Sequence, residues 1–155
     1  MPRLIADVML GSLARWLRIL GYDTIYFRAI DDNELIKIAR QQERILLTRD
    51  TGIARRKHIQ QIILVRSNAV LEQLEEVLSA LKKMNRALPR PSPRCALCNG
   101  ELAASERQAV SDRIPEYVFL NATSFFTCTE CGKVYWCGSH KKSIDSRLQK
   151  ILSEK

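Results

Sequence analysis

The sequence predicts an α/β domain, a small parallel sheet with helices on both faces, followed by a compact cysteine-bearing module. Three observations point there. Short apolar runs alternate with helix-period patterns through the first 88 residues, which is the rhythm of strand–helix units. Prolines at 89, 91 and 93 then deny the chain helix and ladder hydrogen bonds. Beyond them the rhythm is gone and two Cys-x-x-Cys pairs appear. The expected boundaries are a domain over 1–88, an extended linker over 89–94 and a module over 95–155.

Leu4-Ile5-Ala6-Asp7 is a short apolar run that stops on a carboxylate. Met9, Leu13, Trp16, Leu17 and Leu20 then recur at helical spacing on one face, with Trp16 in the core stripe. Gly21 follows in the position where a left-handed backbone costs least. Residues 23–27 read as a second strand, and Asp31-Asp32-Asn33-Glu34 starts a helix buried through Leu35, Ile36, Ile38 and Ala39. A third strand is expected at 45–48, a short basic helix over Thr51–His58 and a fourth strand at 61–65. Asn68 is expected to cap a longer helix carried by Leu71, Leu74, Val77, Leu78 and Leu81. In the module, Tyr117–Leu120, Ser124–Thr127 and Lys133–Trp136 look strand-like. Ile144, Leu148, Ile151 and Leu152 mark a final amphipathic helix.

Composition narrows the class. An apolar fraction of 46% with 27% charged residues is a globular balance. No run approaches the roughly 18–20 apolar residues of a spanning helix. The chain enters its first strand straight after Met1-Pro2-Arg3, so the expected location is the cytoplasm, with no membrane contact. The net charge is +8, with 15 basic and 10 acidic residues up to Leu88 and 10 and 7 after it. A surplus spread over both parts suits a polyanionic partner touching both. Protein partners and homo-oligomers leave no mark in the sequence.

Cys95-Ala96-Leu97-Cys98 and Cys128-Thr129-Glu130-Cys131 are each followed by a turn residue. Two such pairs complete a closed, tetrahedral four-sulfur site, so zinc here is structural and part of the module's folding energy. The spacing reads as a zinc ribbon. Two disulfides are the plainer alternative, which an odd cysteine count in a cytoplasmic chain disfavours. Cys137 is the fifth, read as a small hydrophobe.

The carboxylates carry the chemistry. Asp7 ends the first strand, Asp50 ends the third, and Asp32 opens the helix between them. Open α/β sheets keep their sites on the edge where those strands finish. Gathered acids repel one another unless a cation sits among them, which implies a divalent metal. Metal-assisted phosphodiester hydrolysis uses two ions about 3.5–4 Å apart, with Asp7 as the bridging ligand and Asp32 and Asp50 flanking it. Each acid has a duller reading: Asp31 or Asp32 with Glu34 resembles a capping box, and Asp50 before Thr51-Gly52 suits an N-cap or turn. Asp7 is harder to dismiss, because an acid finishing an apolar strand is expensive unless paired. Arg15 and Arg18, Arg49, and Arg55-Arg56-Lys57-His58 are a phosphate track or a solvated helix face; Arg49 is also placed to orient a carboxylate. His58 and His140 read as surface or capping residues. No nucleophile triad and no Gly-rich phosphate loop is present.

Taken together, the stretch Asp7 to Asp23, Asp32 with Leu35 and Ala39, Leu46-Leu47-Thr48-Arg49-Asp50, both Cys pairs and Tyr135-Trp136-Cys137-Gly138-Ser139-His140 resemble the Mut-seven C-terminal RNase family. The resemblance covers nearly the whole chain. It implies a PIN-like, Rossmannoid three-layer nuclease domain fused to a zinc ribbon, with Asp7, Asp32 and Asp50 at the acidic metal-ligand positions. PIN sites commonly hold a fourth acid, for which Glu34 and Asp31 are the candidates. His140 is expected to pack against the nuclease domain.

The resulting expectation is a Mg- or Mn-dependent endoribonuclease. Asp7, Asp32 and Asp50 hold the metal, Arg15, Arg49, Arg55 and Arg56 meet substrate phosphates, and the Cys95, Cys98, Cys128 and Cys131 zinc module aids RNA binding. The rivals are a non-catalytic RNA-binding or ribosome-associated adaptor and a DNA-directed nuclease. The preference for RNA rests on the resemblance alone.

Overall fold

A computed structural model describes residues 1–56, 61–86 and 92–137. The chain divides into two compact units, Met1–Asn99 and Gly100–Lys155.

In the first unit β1 (Arg3–Ala6), β2 (Asp23–Tyr26), β3 (Ile45–Thr48) and β4 (Ile62–Leu64) form one parallel sheet, ordered β2-β1-β3-β4. The connections are α1 (Gly11–Ile19), α2 (Asp32–Gln41) and α3 (Thr51–Ala54), and α4 (Val70–Lys83) follows β4. The chain runs outward from β1 to β2, then returns past β1 to β3. Strand order therefore reverses between β1 and β3, which opens a crevice at their C-terminal ends.

Both faces of the sheet are covered, so its central strands carry unbroken apolar runs rather than alternation. Ile5 and Leu46 are register partners and share a cluster with Leu35, Ile36, Ala39 and Ile53 of α2 and α3. Side chains alternate along a strand, so Leu4, Ala6, Ile45 and Leu47 face the other way. On that side α1 and α4 pack together, burying Leu13, Leu17, Leu74, Val77 and Leu81. Each such side chain contributes about 1.5–3 kcal/mol.

Three of these helices end alike. After α1, Gly21 at φ 89° donates to Arg18 O and Tyr22 donates to Leu17 O, the paired bonds of a Schellman turn. Glu43 (φ 52°) and Asn85 (φ 53°) close α2 and α4 with the same two bonds.

Some local expectations shift. A 3₁₀ turn, Val8–Leu10, precedes α1 and changes the phase of its apolar face. Met9 is consequently exposed, Leu10 is buried in its stead, and Trp16 is half-buried rather than core. Ala69, not Asn68, caps α4, while Glu76 reaches back to accept Arg66 N and Ser67 N. α3 stops at Ala54; Lys57 and His58 lie outside the described residues.

The second unit contains an antiparallel sheet of β5 (Leu102–Ser105), β6 (Ser124–Cys128) and β7 (Val134–Cys137), ordered β5-β6-β7. Residues 117–120, expected as strand, lie instead in helix α5 (Glu116–Asn121). Pro115 sets up its first turn and accepts Phe119 N, and that local start overrides the β-rich composition. Val110, Ala122, Phe125 and Val134 form a small core. Arg107 sits 5.6 Å from the ring centres of both Phe119 and Phe125 and donates to Phe119 O and Ala122 O. Gly138 to His140 and the expected final helix lie outside the described residues, as do Pro89 and Pro91.

At the N-terminal edge of the parallel sheet, Arg44 binds Asp23 at 2.8 Å and donates to Leu4 O. Burial by itself would raise the Asp23 carboxyl. Hydrogen bonds from Arg44 and Asn99 and the charges of Arg44 and Arg94 outweigh it and hold the group below its usual value. The pair therefore adds stability at neutral pH that is lost as pH falls through the carboxylate range. Asp23→Asn is expected to lower unfolding stability by about 2–3 kcal/mol at pH 7, because it leaves a buried guanidinium unpaired. Urea denaturation should show that difference shrinking below about pH 4.

Candidate active site

The acidic edge is built from register. Ala6 lies opposite Leu47, so the next residues, Asp7 and Thr48, meet at the crevice between β1 and β3. Asp7 N donates to Leu47 O at 2.9 Å, which extends the pairing by one bond. The Thr48 hydroxyl donates to Asp7 Oδ2 at 2.8 Å and accepts Asp50 N at 3.0 Å. One buried hydroxyl thus fixes both the Asp7 carboxyl and the backbone that presents Asp50. Asp7 is 5% exposed, and no basic side chain among the described residues pairs with it.

Tyr26, at the end of β2, donates its hydroxyl to Val8 O in the turn beyond Asp7. A side chain at Gly11 would come 2.8 Å from that tyrosine ring, so glycine permits the approach. Sequence reasoning assigned Tyr26 no part in this edge, and only the parallel register reveals it.

The remaining acids have local duties. Asp50 is exposed; its Oδ1 accepts Gly52 N at 2.6 Å and Ile53 N at 3.3 Å and caps α3. Asp31 caps α2 through Asn33 N and Glu34 N. Asp32 Oδ2 lies 3.6 Å from Arg56, which also donates to Asn33 Oδ1 at 2.7 Å. Glu34 pairs with Lys37 at 3.4 Å. Arg49 donates to Asn68, while Arg15 and Arg55 are exposed with no ion pair among the described residues. Asp7, Asp32 and Asp50 all follow the C-terminal ends of neighbouring strands. They are not drawn into one metal-holding group.

Among the described residues, the one group of three or more His, Cys, Asp or Glu side chains close enough to hold an ion is Cys95, Cys98, Cys128 and Cys131. Their Sγ atoms lie within 4.8 Å of one another. Four sulfurs suit zinc with no open coordination position. Both pairs turn in the same way: Asn99 N donates to Cys95 O and Gly132 N to Cys128 O. Asn99 and Gly132 take φ of 73° and 72°. Asn99, rather than the Gly100 beside it, makes the left-handed turn after the first pair. Gly100 serves a different need, since a side chain there would come 2.7 Å from Cys128 Sγ.

The family model for the Mut7-C RNAse domain matches residues 2–148. The chain belongs to that family. Neither a curated protein nor a solved structure matches it. Membership in a family of RNase domains makes the function of this Mut7-C chain one of nuclease type. No helix among the described residues is long and apolar enough to cross a membrane.

One residue of this Mut7-C chain has a role its sequence did not suggest. Arg18, grouped above with Arg15 on a phosphate track, is 5% exposed. It donates to Thr24 O at 2.8 Å and, at 3.0 Å each, to Ala96 O and Leu97 O, the carbonyls between the first two cysteines. Asn99 adds bonds to Thr24 N and Asp23 Oδ1. These contacts bind residues 95–99 to the start of β2. Arg18→Leu is expected to lower stability by about 2–3 kcal/mol, because the charged donor is lost and the buried Thr24 carbonyl and the part-buried Ala96 and Leu97 carbonyls are left without it. It should also weaken zinc retention by about 10–100-fold. Thermal unfolding and zinc release to a colorimetric chelator test both effects, with exposed Arg15→Leu as the silent comparison.

Proposed function

We propose that this Mut7-C protein is a metal-dependent endoribonuclease of PIN-like architecture, hydrolysing RNA phosphodiester bonds in the crevice between β1 and β3. One observation supports this above the others. Asp7 is 5% exposed at the point where strand order reverses, and its side chain's partner among the described residues is the neutral Thr48 hydroxyl. A carboxyl so buried is costly to keep without a countercharge, and a divalent cation supplies one. The donor set fits: oxygen ligands suit Mg²⁺ or Mn²⁺, and the hydrogen bonds given above engage Oδ2 of Asp7 and Oδ1 of Asp50, leaving one oxygen of each. Asp32 joins them on leaving Arg56, an exposed pair worth at most about 1 kcal/mol.

When bound there, the ion activates water and steadies charge on the leaving oxygen. The protein does the rest. Thr48 holds the Asp7 carboxyl in one orientation, and α3 holds Asp50 through its first amides. Arg15, Arg49, Arg55 and Arg56 meet substrate phosphates around the crevice. Of the two candidates for a further acid, Asp31 is committed to capping α2, which leaves Glu34.

Zinc in the cysteine quartet is structural in this reading, and the zinc ribbon aids the grip on RNA. The first Cys pair is tied to Asp23 and Thr24, at the start of β2, while Asp7 follows the last residue of β1. Four strand residues separate those edges, about 13 Å. Cysteines arranged to hold a metal suit a reducing compartment, so the cytoplasm is the proposed location.

A second reading, an RNA-binding adaptor without turnover, draws on Asp32 being paired with Arg56 and Asp50 being engaged as a cap. RNA cleavage separates the two. Asp7→Asn is expected to reduce cleavage by on the order of 10³-fold or more, with zinc content unchanged and unfolding stability not reduced. Thr48→Val, which removes only the orienting hydroxyl, should cost about 10–100-fold. Full activity in buffer containing zinc but free of Mg²⁺ and Mn²⁺ would overturn the mechanism. Gel-shift binding with no turnover in either metal would favour the adaptor.

A further inference from the structure

A groove of about 730 Å³ lies along α2, beyond the residues assigned to the crevice. Arg3 enters it from the start of β1, Lys37 and Arg40 from α2, and Arg86 from the turn after α4. Arg44 also lines it, but its charge is committed to Asp23. Glu43 is the one acidic residue in the lining. Arg3, Arg40 and Arg86 are exposed and form no ion pair among the described residues. Lys37 shares its charge, among the described residues, with Glu34, across an exposed helix surface at 3.4 Å.

Cations facing one groove repel each other, and a ligand with several negative charges relieves that repulsion best. The volume falls among pockets of ~300–1,000 Å³ that take small-molecule-sized ligands, room for about two nucleotides and far too little for a duplex. Placement supplies the direction. Asn33 lines the groove at the start of α2, and its side chain accepts the same Arg56 that pairs with Asp32. Arg40 and Gln41 line it at the other end of the helix, about 12 Å along its axis. The groove therefore runs from Asn33 beside the acidic edge to Arg3, Arg40 and Arg86 near the starts of β1 and β3, one helix length away.

We propose that this groove is a track for the sugar–phosphate backbone of a single-stranded nucleic acid, holding the part of the substrate that flanks the cleaved bond. The inference deepens the nuclease reading above and rests on it for the identity of the strand. Its contacts go to phosphates, so it confers affinity and site size without reading base sequence.

The test measures binding in an Asp7→Asn background, so that cleavage plays no part. Fluorescence anisotropy of a labelled 12-nucleotide RNA, titrated across potassium chloride concentrations, is compared with and without Arg3→Gln, Arg40→Gln and Arg86→Gln together. All three side chains are exposed, and unfolding curves check that the fold is intact. The triple variant should bind at least 10-fold more weakly. Its slope of log K against log salt should flatten by about 2, since each lost phosphate contact on a single strand removes about 0.7. The same flattening with a matched DNA oligomer would assign the track to phosphates; flattening with RNA alone would add the ribose hydroxyls. Unchanged affinity and slope would overturn the proposal. So would intact RNA binding with lost binding of a labelled polyglutamate peptide, which would make the groove a site for acidic protein. If the parent chain cleaves nothing yet the triple variant loses binding, the nuclease reading fails and the track stands. Normal cleavage by the parent chain with an unchanged slope has the opposite meaning.

Discussion

The pairing of β1 with β3, and the single hydroxyl it brings to Asp7, is the constraint from which the candidate site follows. Thr48 is wholly buried and stands opposite Asp7 only because Ala6 is in register with Leu47. A slip of one residue would turn every side chain of β3 to the other face and offer Leu47 or Arg49 in its place. The first would leave the carboxyl without a partner, and the second would neutralise it. What forbids the slip is burial on both faces: Leu46 belongs with Ile5 and α2, while Ile45 and Leu47 belong to the opposite layer. Ordinary apolar packing thus sets the geometry of a polar site.

The two edges of that sheet divide the work. At the N-terminal edge, Asp23, Thr24, Arg44, Arg18 and Asn99 form a connected set of hydrogen bonds, two of its members being nearly inaccessible guanidiniums. At the C-terminal edge, Asp50 and Asp31 make exposed caps and Asp32 meets Arg56 across solvent. Exposed pairs of this kind contribute little, whereas breaking a buried one is costly. Rigidity is therefore concentrated where the first Cys pair is held, and the acids stay easily released where a substrate and cation would bind. In the proposed reading, that asymmetry would let a structural metal and a catalytic one serve the same chain without competing for ligands, since thiolates suit the soft ion and carboxylates the hard one.

The strands and their terminal acids were legible because a parallel strand buried on both faces reads as an unbroken apolar run, as Ile45–Leu47 does, and Asp7 interrupts such a run with a charge. The quartet was legible because chelation imposes a fixed spacing on its cysteines. Other features were not. Arg18 follows Arg15 by one helical turn and looks like its companion, yet one is solvated and the other is buried against carbonyls 78 and 79 residues away. No local pattern encodes that difference. β5, with the sequence Leu-Ala-Ala-Ser, has little intrinsic preference for a strand and becomes one through β6. The 3₁₀ turn before α1 moved burial from Met9 to Leu10, because a tighter turn advances the helical phase by a fraction of a residue at each step.

Net charge, read from composition, overstated the cations available to a polyanion. Arg18, Arg44, Arg107 and Arg113 all donate to groups of their own chain, so much of the surplus is spent on structure. What is left on the first unit, Arg3, Arg15, Arg40, Arg55 and Arg86 among others, is exposed and does not pair Asp7. In a chain with 25 basic residues, a buried acid lacking a basic neighbour among the described residues is not the outcome that charge attraction alone would favour. A guanidinium bound to Asp7 would occupy the place a divalent ion needs and would remove the reason for the ion to enter. In the proposed reading, cations kept off that central carboxyl, whether near the acidic edge as Arg55 is or toward the opposite edge as Arg3, Arg40 and Arg86 are, would gather phosphates and leave the carboxyl to a metal.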